Sequence, residues 1–220
     1  ARATAELSGT AHLAACAQIY PRPNPILIQP TGIDRSPNRI IEKEAIRVEG
    51  TNESYPWQSV VMEAFSKRIN LSAKGHYATP KIHFDKKKER GRPFAYHVYG
   101  TALIIAKVDC LRGTYEFESV RIVHDFGTSM NQLVDLGQIE GGLVQGIGWM
   151  TMEEIAYNKD GRLLSNALST YKVPDIFSVP KIVEVIPVET KGHELAILKS
   201  KAVGEPPLMY GIGAYFALQN

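Results

Sequence analysis

The chain has 220 residues, and Lys+Arg 25 against Asp+Glu 23 leave a formal charge of +2. Hydrophobic residues at 44% and charged residues at 22% give a globular composition, which excludes a disordered chain and a coiled coil. So balanced a charge provides no field for nucleic acid or an anionic membrane surface. The apolar runs, such as residues 102–106, stop far short of the roughly 20 residues that span a bilayer. The opening Ala1-Arg2-Ala3-Thr4-Ala5 has neither a basic-then-apolar leader nor an initiator Met. A fragment or processed product, located in the cytoplasm, is therefore expected. Cys16 and Cys110 are the only cysteines, too few for a four-cysteine zinc or iron–sulfur site. Both are expected to be buried thiols in a reducing compartment.

In chain order, Thr10 can cap a helix over 11–19, whose alanines favour helix and whose Pro21 stops it. Five prolines between 21 and 37 predict an extended connector. Pro56 suits the first turn of a second helix with Val60, Val61, Ala64 and Phe65 as its apolar stripe. The polar run at 85–92 reads as a solvated loop or as an anion or partner patch. From Phe94 the alternation of Tyr96, Val98, Leu103, Ile105 and Val108, followed by Leu111-Arg112-Gly113 and 115–123, predicts two antiparallel strands on a glycine turn. Residues 136–150 predict a glycine-dotted helix, 182–188 a third strand, and Pro206 the start of a final helix. Helices and strands intermix without a βαβ rhythm, so the predicted class is α+β.

Two segments carry chemistry. Five glycines in the 136–150 helix cost roughly 1 kcal/mol each relative to alanine, a cost usually offset by close backbone approach. Gly137, Gly141 and Gly148 fall on one face, open to another helix or to a flat ligand. Gln138 and Gln145, two turns apart, project on one side, where an amide can both donate and accept. The glycines match neither a phosphate loop nor the Gly-x-Gly-x-x-Gly spacing of a dinucleotide site. In the second segment, Gly204 supplies a hinge and Pro206-Pro207 a rigid helix start, with Glu205 fixed between them. Glu205 either complements the helix dipole or serves as a held general base. His124 beside Asp125 reads as an oriented base or as a structural pair, with no Ser or Cys nucleophile motif nearby. His12, His76, His83, His97 and His193 lack metal-site spacing. Trp57 and Trp149 read as core or interface residues.

Gly137-Gln138-Ile139-Glu140-Gly141-Gly142…Gln145-Gly146 and Ser200-Lys201-Ala202-Val203-Gly204-Glu205-Pro206-Pro207 resemble the molybdenum-cofactor subunit of the xanthine dehydrogenase/aldehyde oxidase family. Further matches, in the family's order, are Gly75-x-Tyr77-x-Thr79-Pro80, Tyr99-Gly100…Val108-Asp109-Cys110-Leu111-x-Gly113, Asp125-x-Gly127-x-Ser129-x-Asn131 and Ser169-Thr170-Tyr171-Lys172-Val173-Pro174. The pattern after Lys201 is nearer the xanthine dehydrogenase branch than the carbon monoxide dehydrogenases. The resemblance implies that 1–220 is the C-terminal part of a molybdopterin-binding catalytic domain. Its expected layout is a helical and loop segment over 1–90, then a sheet, the glycine-rich helix and the terminal helix over 91–220.

The resemblance also implies a hydroxylase that inserts water-derived oxygen into a purine or related N-heterocycle, with Glu205 as general base. Gln138, Ala1, Arg2, Gly137 and Gly204 take cofactor-binding positions, residues 1–10 matching a cofactor loop, and no side chain ligates the metal. The cofactor is molybdopterin or its cytosine dinucleotide form. Partner domains or subunits supply 2Fe–2S clusters and FAD, and the domain's N-terminal half completes the site. An oligomer is expected, with no nucleic-acid or membrane partner, and the chain alone is expected to be inactive. Alternatives are the same chemistry on an aldehyde or nicotinate-like substrate, or a non-catalytic assembly fragment.

Overall fold

A computed structural model describes residues 2–23, 39–42, 44–48, 54–188, 190 and 192–219. The chain divides into two compact units, one of Leu7–Ala78 and one of Ala1–Glu6 with Thr79–Asn220. Helix α1 (Arg2–Ile19) starts well before the expected cap at Thr10. Ala3, Ala5, Glu6 and Leu7 extend it, because their helix propensity carries the helix through Ser8-Gly9-Thr10. Residues 2–10 are therefore helical and not the loop that the family resemblance implied. The connector expected over 21–37 lies outside the described residues from 24 onward.

Strands β1 (Arg39–Glu42), β2 (Ala45–Val48) and β3 (Ser54–Pro56) form an antiparallel sheet in that order, and α2 (Trp57–Ser66) follows directly. Ile46 and Val60 are buried together, with Tyr55 packed beside them. In the same unit Gly75 passes so close to the Ala11 carbonyl that a β-carbon there would overlap it. Gln18 Nε2 donates to the Lys74 carbonyl at 3.0 Å, and Arg22 Nη1 to the Asn70 and Ser72 carbonyls at 2.8 and 2.6 Å. These bonds give the Gly75-x-Tyr77 motif a packing reason. Short strands β4 (His83–Asp85) and β5 (Arg90–Arg92) pair into an exposed hairpin that contains the polar run. Residues 1–90 thus also contain short strands, which their sequence pattern did not show.

Strand β6 (Gly100–Asp109) pairs antiparallel with β7 (Thr114–His124), and β7 pairs parallel with β8 (Ile182–Pro187). Strand structure begins at Gly100, later than Phe94, and the turn sits at Gly113 with φ +66°. A parallel neighbour demands a long crossover, and it contains α3 (Gln132–Thr151). Alternation places Val120 and Ile122 of β7 in the core with Phe117, Ile139, Leu143, Ile147, Val203 and Ala214. On the opposite face Leu103, Ile105, Ile182 and Ile186 are exposed beside an Arg121–Glu184 ion pair of 2.8 Å.

Helix α3 starts on a built cap. The Asn131 side chain accepts from Val134 N, and Asp135 in the first turn accepts from Ser129 Oγ at 2.5 Å. Pro206 begins a 3₁₀ helix (Pro206–Gly211), and α4 (Ile212–Gln219) begins only afterwards. The final α-helix thus starts later than expected, after a 3₁₀ turn that the two prolines open. Cys16 and Cys110 are exposed, contrary to expectation. Cys110 follows β6 directly at the hairpin turn, where no core can reach it. Trp57 and Trp149 are also largely exposed and are not core residues.

The helix glycines divide differently from the single face expected. A β-carbon on Gly142 would meet Gly204 O and Pro207 Cβ at 3.1 Å, and one on Gly146 would run into the Leu208 carbonyl. Gly148 abuts Pro174, whereas Gly137 and Gly141 face open space. Gly146→Ala is expected to lower stability by about 1–3 kcal/mol through overpacking. Gly137→Ala is expected to raise it by roughly 0.5–1 kcal/mol. Chemical-denaturation midpoints of the two variants check the contrast, and equal shifts would contradict it.

Candidate functional site

The site starts from the contact between α3 and the turn at 204–205. Because Gly142 has no side chain, the Gly204 carbonyl comes down onto α3. A β-carbon on Gly204 would stand 2.8 Å from Gln138 Oε1, so the amide lies close against the glycine and would have to move aside for a side chain there. Gln138, Gln145, Gly137, Gly141, Gly204 and Glu205 are all exposed. Of these, the structure brings Gln138 and Gly204 together, while Gly137 and Gly141 face open space. Ala1 lies outside the described residues, and Arg2 is described only as the first residue of α1.

Glu205 holds the N-cap position of the 3₁₀ helix with φ −93° and ψ −42°. Its side chain makes no capping hydrogen bond; instead its carbonyl accepts from Leu208 N at 3.1 Å. Among the described residues, no three His, Cys, Asp or Glu side chains gather as a metal's ligand set.

Behind the turn lies a polar core that sequence reasoning only half saw. Lys201 Nζ sits 2.5 Å from Asp125 Oδ2, with the two side chains 10% and 4% exposed. Asp125 Oδ1 also accepts from Thr190 Oγ1 at 2.6 Å and from Gly127 N at 3.0 Å. Gly127, at φ +62°, turns the chain there, and a β-carbon on it would lie 2.5 Å from the Lys199 carbonyl. His124 is fully buried, and its Nδ1 lies 2.6 Å from Tyr210 Oη. Asp125 spends its carboxylate on Lys201, Thr190 and Gly127, so the reading of His124–Asp125 as an oriented base is corrected to a structural pair. Asp125 was visible as a motif position. The contacts of Asp125 with Lys201 and Thr190, and of His124 with Tyr210, were not, because they span 65 to 86 residues.

Burial pushes the Asp125 carboxyl up, but its bonds to Lys201, Thr190 and Gly127 outweigh that and hold it below the usual carboxylate range. Burial holds the His124 imidazole below the usual histidine range, against the pull of the Ala202 backbone and the Asp125 charge. Burial and the Asp125 charge raise the Tyr210 phenol.

The fold and this surface define a class. The family model for the molybdopterin cofactor-binding domain matches residues 1–180, and the chain belongs to that family. Mouse xanthine dehydrogenase/oxidase is 36% identical over 220 residues, covering 100% of this chain and 15% of the mouse protein. The chain thus spans about 15% of that relative's length. The aldehyde oxidoreductase of Desulfovibrio desulfuricans superposes with a TM-score of 0.61 at 28% identity, over 70% of this chain and 16% of the other. Carbon monoxide dehydrogenase from Oligotropha carboxidovorans superposes at 0.72 with 18% identity, over 97% and 25%, a likeness of fold. No helix among the described residues is long and apolar enough to cross a membrane.

Two of these groups, His124 and Asp125, set an acid-side pH dependence of one sign. Folding favours neutral His124 and ionised Asp125, so both contributions are complete above the unfolded histidine value of 6.5. As pH falls below 6.5 the His124 contribution is lost first, and that of Asp125 follows below its ordinary value of 3.8. Thermal unfolding of the chain should show Tm falling on acidification in these two stages. A Tm that is flat or rises toward low pH would contradict the assignment.

Proposed function

We propose that this chain forms the cofactor-facing and catalytic part of a molybdenum hydroxylase that oxidises a purine or related N-heterocycle, with Glu205 as general base. The observation that supports it most is the contact of Gly204 with Gln138, which sets a carboxylate-bearing turn beside an exposed amide in a molybdopterin-binding domain. The molybdenum cofactor, when bound, supplies oxygen transfer to the substrate and accepts two electrons from it. The chain's own residues do the rest. Gln138 offers an amide that donates and accepts. Gly137 and Gly204 leave backbone bare for close approach, and Ala1 and Arg2 take the remaining cofactor positions.

Glu205 takes the proton from the attacking oxygen. Its backbone is stiffened by Pro206-Pro207 and by the Leu208 N–H bond to its own carbonyl, which holds a base in place without capping. The cofactor form is molybdopterin or its cytosine dinucleotide. The N-terminal half of the domain closes the site, partner domains with 2Fe–2S and FAD take the electrons onward, and the assembly works in the cytoplasm.

Glu205→Gln keeps shape and hydrogen-bonding reach but removes basicity. Anaerobic reduction of the molybdenum centre by substrate, in the full enzyme at equal cofactor content, should slow by about 10²–10⁴. A rate within tenfold of the parent would overturn the base assignment. A panel of xanthine, nicotinate and aldehydes then fixes the substrate class, and turnover of aldehydes alone would replace the heterocycle reading.

Gln138→Ala should leave a cofactor group unpaired at a cost of about 1–3 kcal/mol. Lower molybdenum content or slower turnover is the expected outcome. Unchanged values of both would remove Gln138 from the site.

A further inference from the structure

Glu205 stands between two residues whose side chains both return to the same place. Lys201 precedes it by four positions and Tyr210 follows it by five. Lys201 reaches Asp125, and Tyr210 reaches His124, so the adjacent pair at the end of β7 grips the turn from both sides.

The pair itself is immobilised. His124 is the last residue of β7 and is registered opposite Gly100 of β6 and Pro187 of β8. Asp125 N donates to the Tyr99 carbonyl at 2.9 Å, and the His124 carbonyl accepts from Val188 N at 3.0 Å. On the incoming side of the turn, Lys201 N donates to the Phe126 carbonyl at 2.8 Å and Thr128 N to the Lys199 carbonyl at 3.0 Å. On the outgoing side Gly100 leaves room for the phenol, since a β-carbon there would overlap Tyr210 Oη. The Lys201 ammonium also lies 5.8 Å from the Tyr99 ring centroid, a cation–π distance. The Lys201–Asp125 grip is buried and the Tyr210–His124 grip is part-buried around a fully buried His124, so a lost partner leaves an uncompensated charge or polar atom.

We infer that His124 and Asp125 are positioning residues that fix the Glu205 turn, Asp125 through Lys201 and His124 through Tyr210. Neither touches substrate, and each acts by restraining the chain on one side of Glu205. The link to catalysis rests on the proposed base role of Glu205, whereas the anchoring of the turn does not. A turn released by a fraction of an ångström would leave the carboxylate in the enzyme but out of line. Misplacement on the scale of 1 Å can cost about 10²-fold in rate.

The experiment uses the full cofactor-loaded enzyme with Asp125→Asn, Tyr210→Phe and the surface control Glu184→Ala. Hydrogen–deuterium exchange of peptides covering 199–211 is read beside kcat, KM and molybdenum content. Asp125→Asn and Tyr210→Phe should each speed exchange in that segment roughly tenfold or more, the effect of one lost buried hydrogen bond. They should lower kcat by up to about 10²-fold while KM and molybdenum content change little. Glu184→Ala should alter neither. Should Asp125→Asn fail to fold, Tyr210→Phe decides, since it removes a single oxygen. Unchanged exchange across 199–211 overturns the anchoring, as does a rate that falls only in proportion to lost molybdenum. Glu205→Gln separates the two readings. If it leaves reduction unslowed, the base role fails while the exchange result still judges the anchor alone.

Discussion

The structure of the larger unit depends on how closely α3 and the segment 204–211 approach each other. Backbone meets backbone there, because Gly142 lies under Gly204 and Pro207, and Gly146 under Leu208 and Gly211. A side chain at Gly146 would push the segment away, and one at Gly142 would press on Gly204 and Pro207, so the Gly204–Gln138 contact depends on both glycines. The helix accepts glycines, which are poor helix formers, because Ile139, Leu143 and Ile147 on its buried side pack against β7. Burial of each such side chain is worth about 1.5–3 kcal/mol, enough to offset the roughly 1 kcal/mol lost at a glycine.

That approach also explains why the site is assembled from parts distant in sequence. Gln138 is set by the register of α3, which Asn131 caps and Asp135 and Ser129 brace. Glu205 is set by the chain leaving Lys201, whose charge is neutralised inside the protein by Asp125. A buried ion pair is weak evidence for stability, because desolvation opposes the attraction. Its value here is specificity of place, since Lys201 has a charged partner, and its position settles the turn that follows. The opposite face of the sheet shows the contrast. There, exposed pairs such as Lys181–Glu116 at 2.7 Å hold no element that the site needs.

Local signals in the sequence performed unevenly for a physical reason. The Leu111-Arg112-Gly113 turn and its two strands are legible because alternation and a positive-φ glycine act over a few residues. The start of α1 is misread because Thr10 is a good cap only if no helix precedes it, and the segment 2–9 supplies one. Cys16 and Cys110 are misread because the tendency of cysteine to be buried is an average, and position at a turn overrides it. The glycine face is half right. Spacing shows that α3 must approach something, but the sequence cannot say which glycines meet protein and which stay open.

The sequence by itself determined the class of fold, the glycine-rich helix, the hinged Gly204-Glu205-Pro206-Pro207 turn and the family, since each is written in neighbouring residues or in an ordered set of motifs. Tertiary structure alone decided that Gly142 and Gly146 form the packed face while Gly137 and Gly141 remain open. It also decided that Gln138 faces Gly204, and that Asp125 and His124 hold Lys201 and Tyr210. Those outcomes depend on which side chains meet across 65 to 86 residues. No local periodicity encodes a distance of that kind, because it is fixed only when the sheet, the helix and the returning segment close on one core.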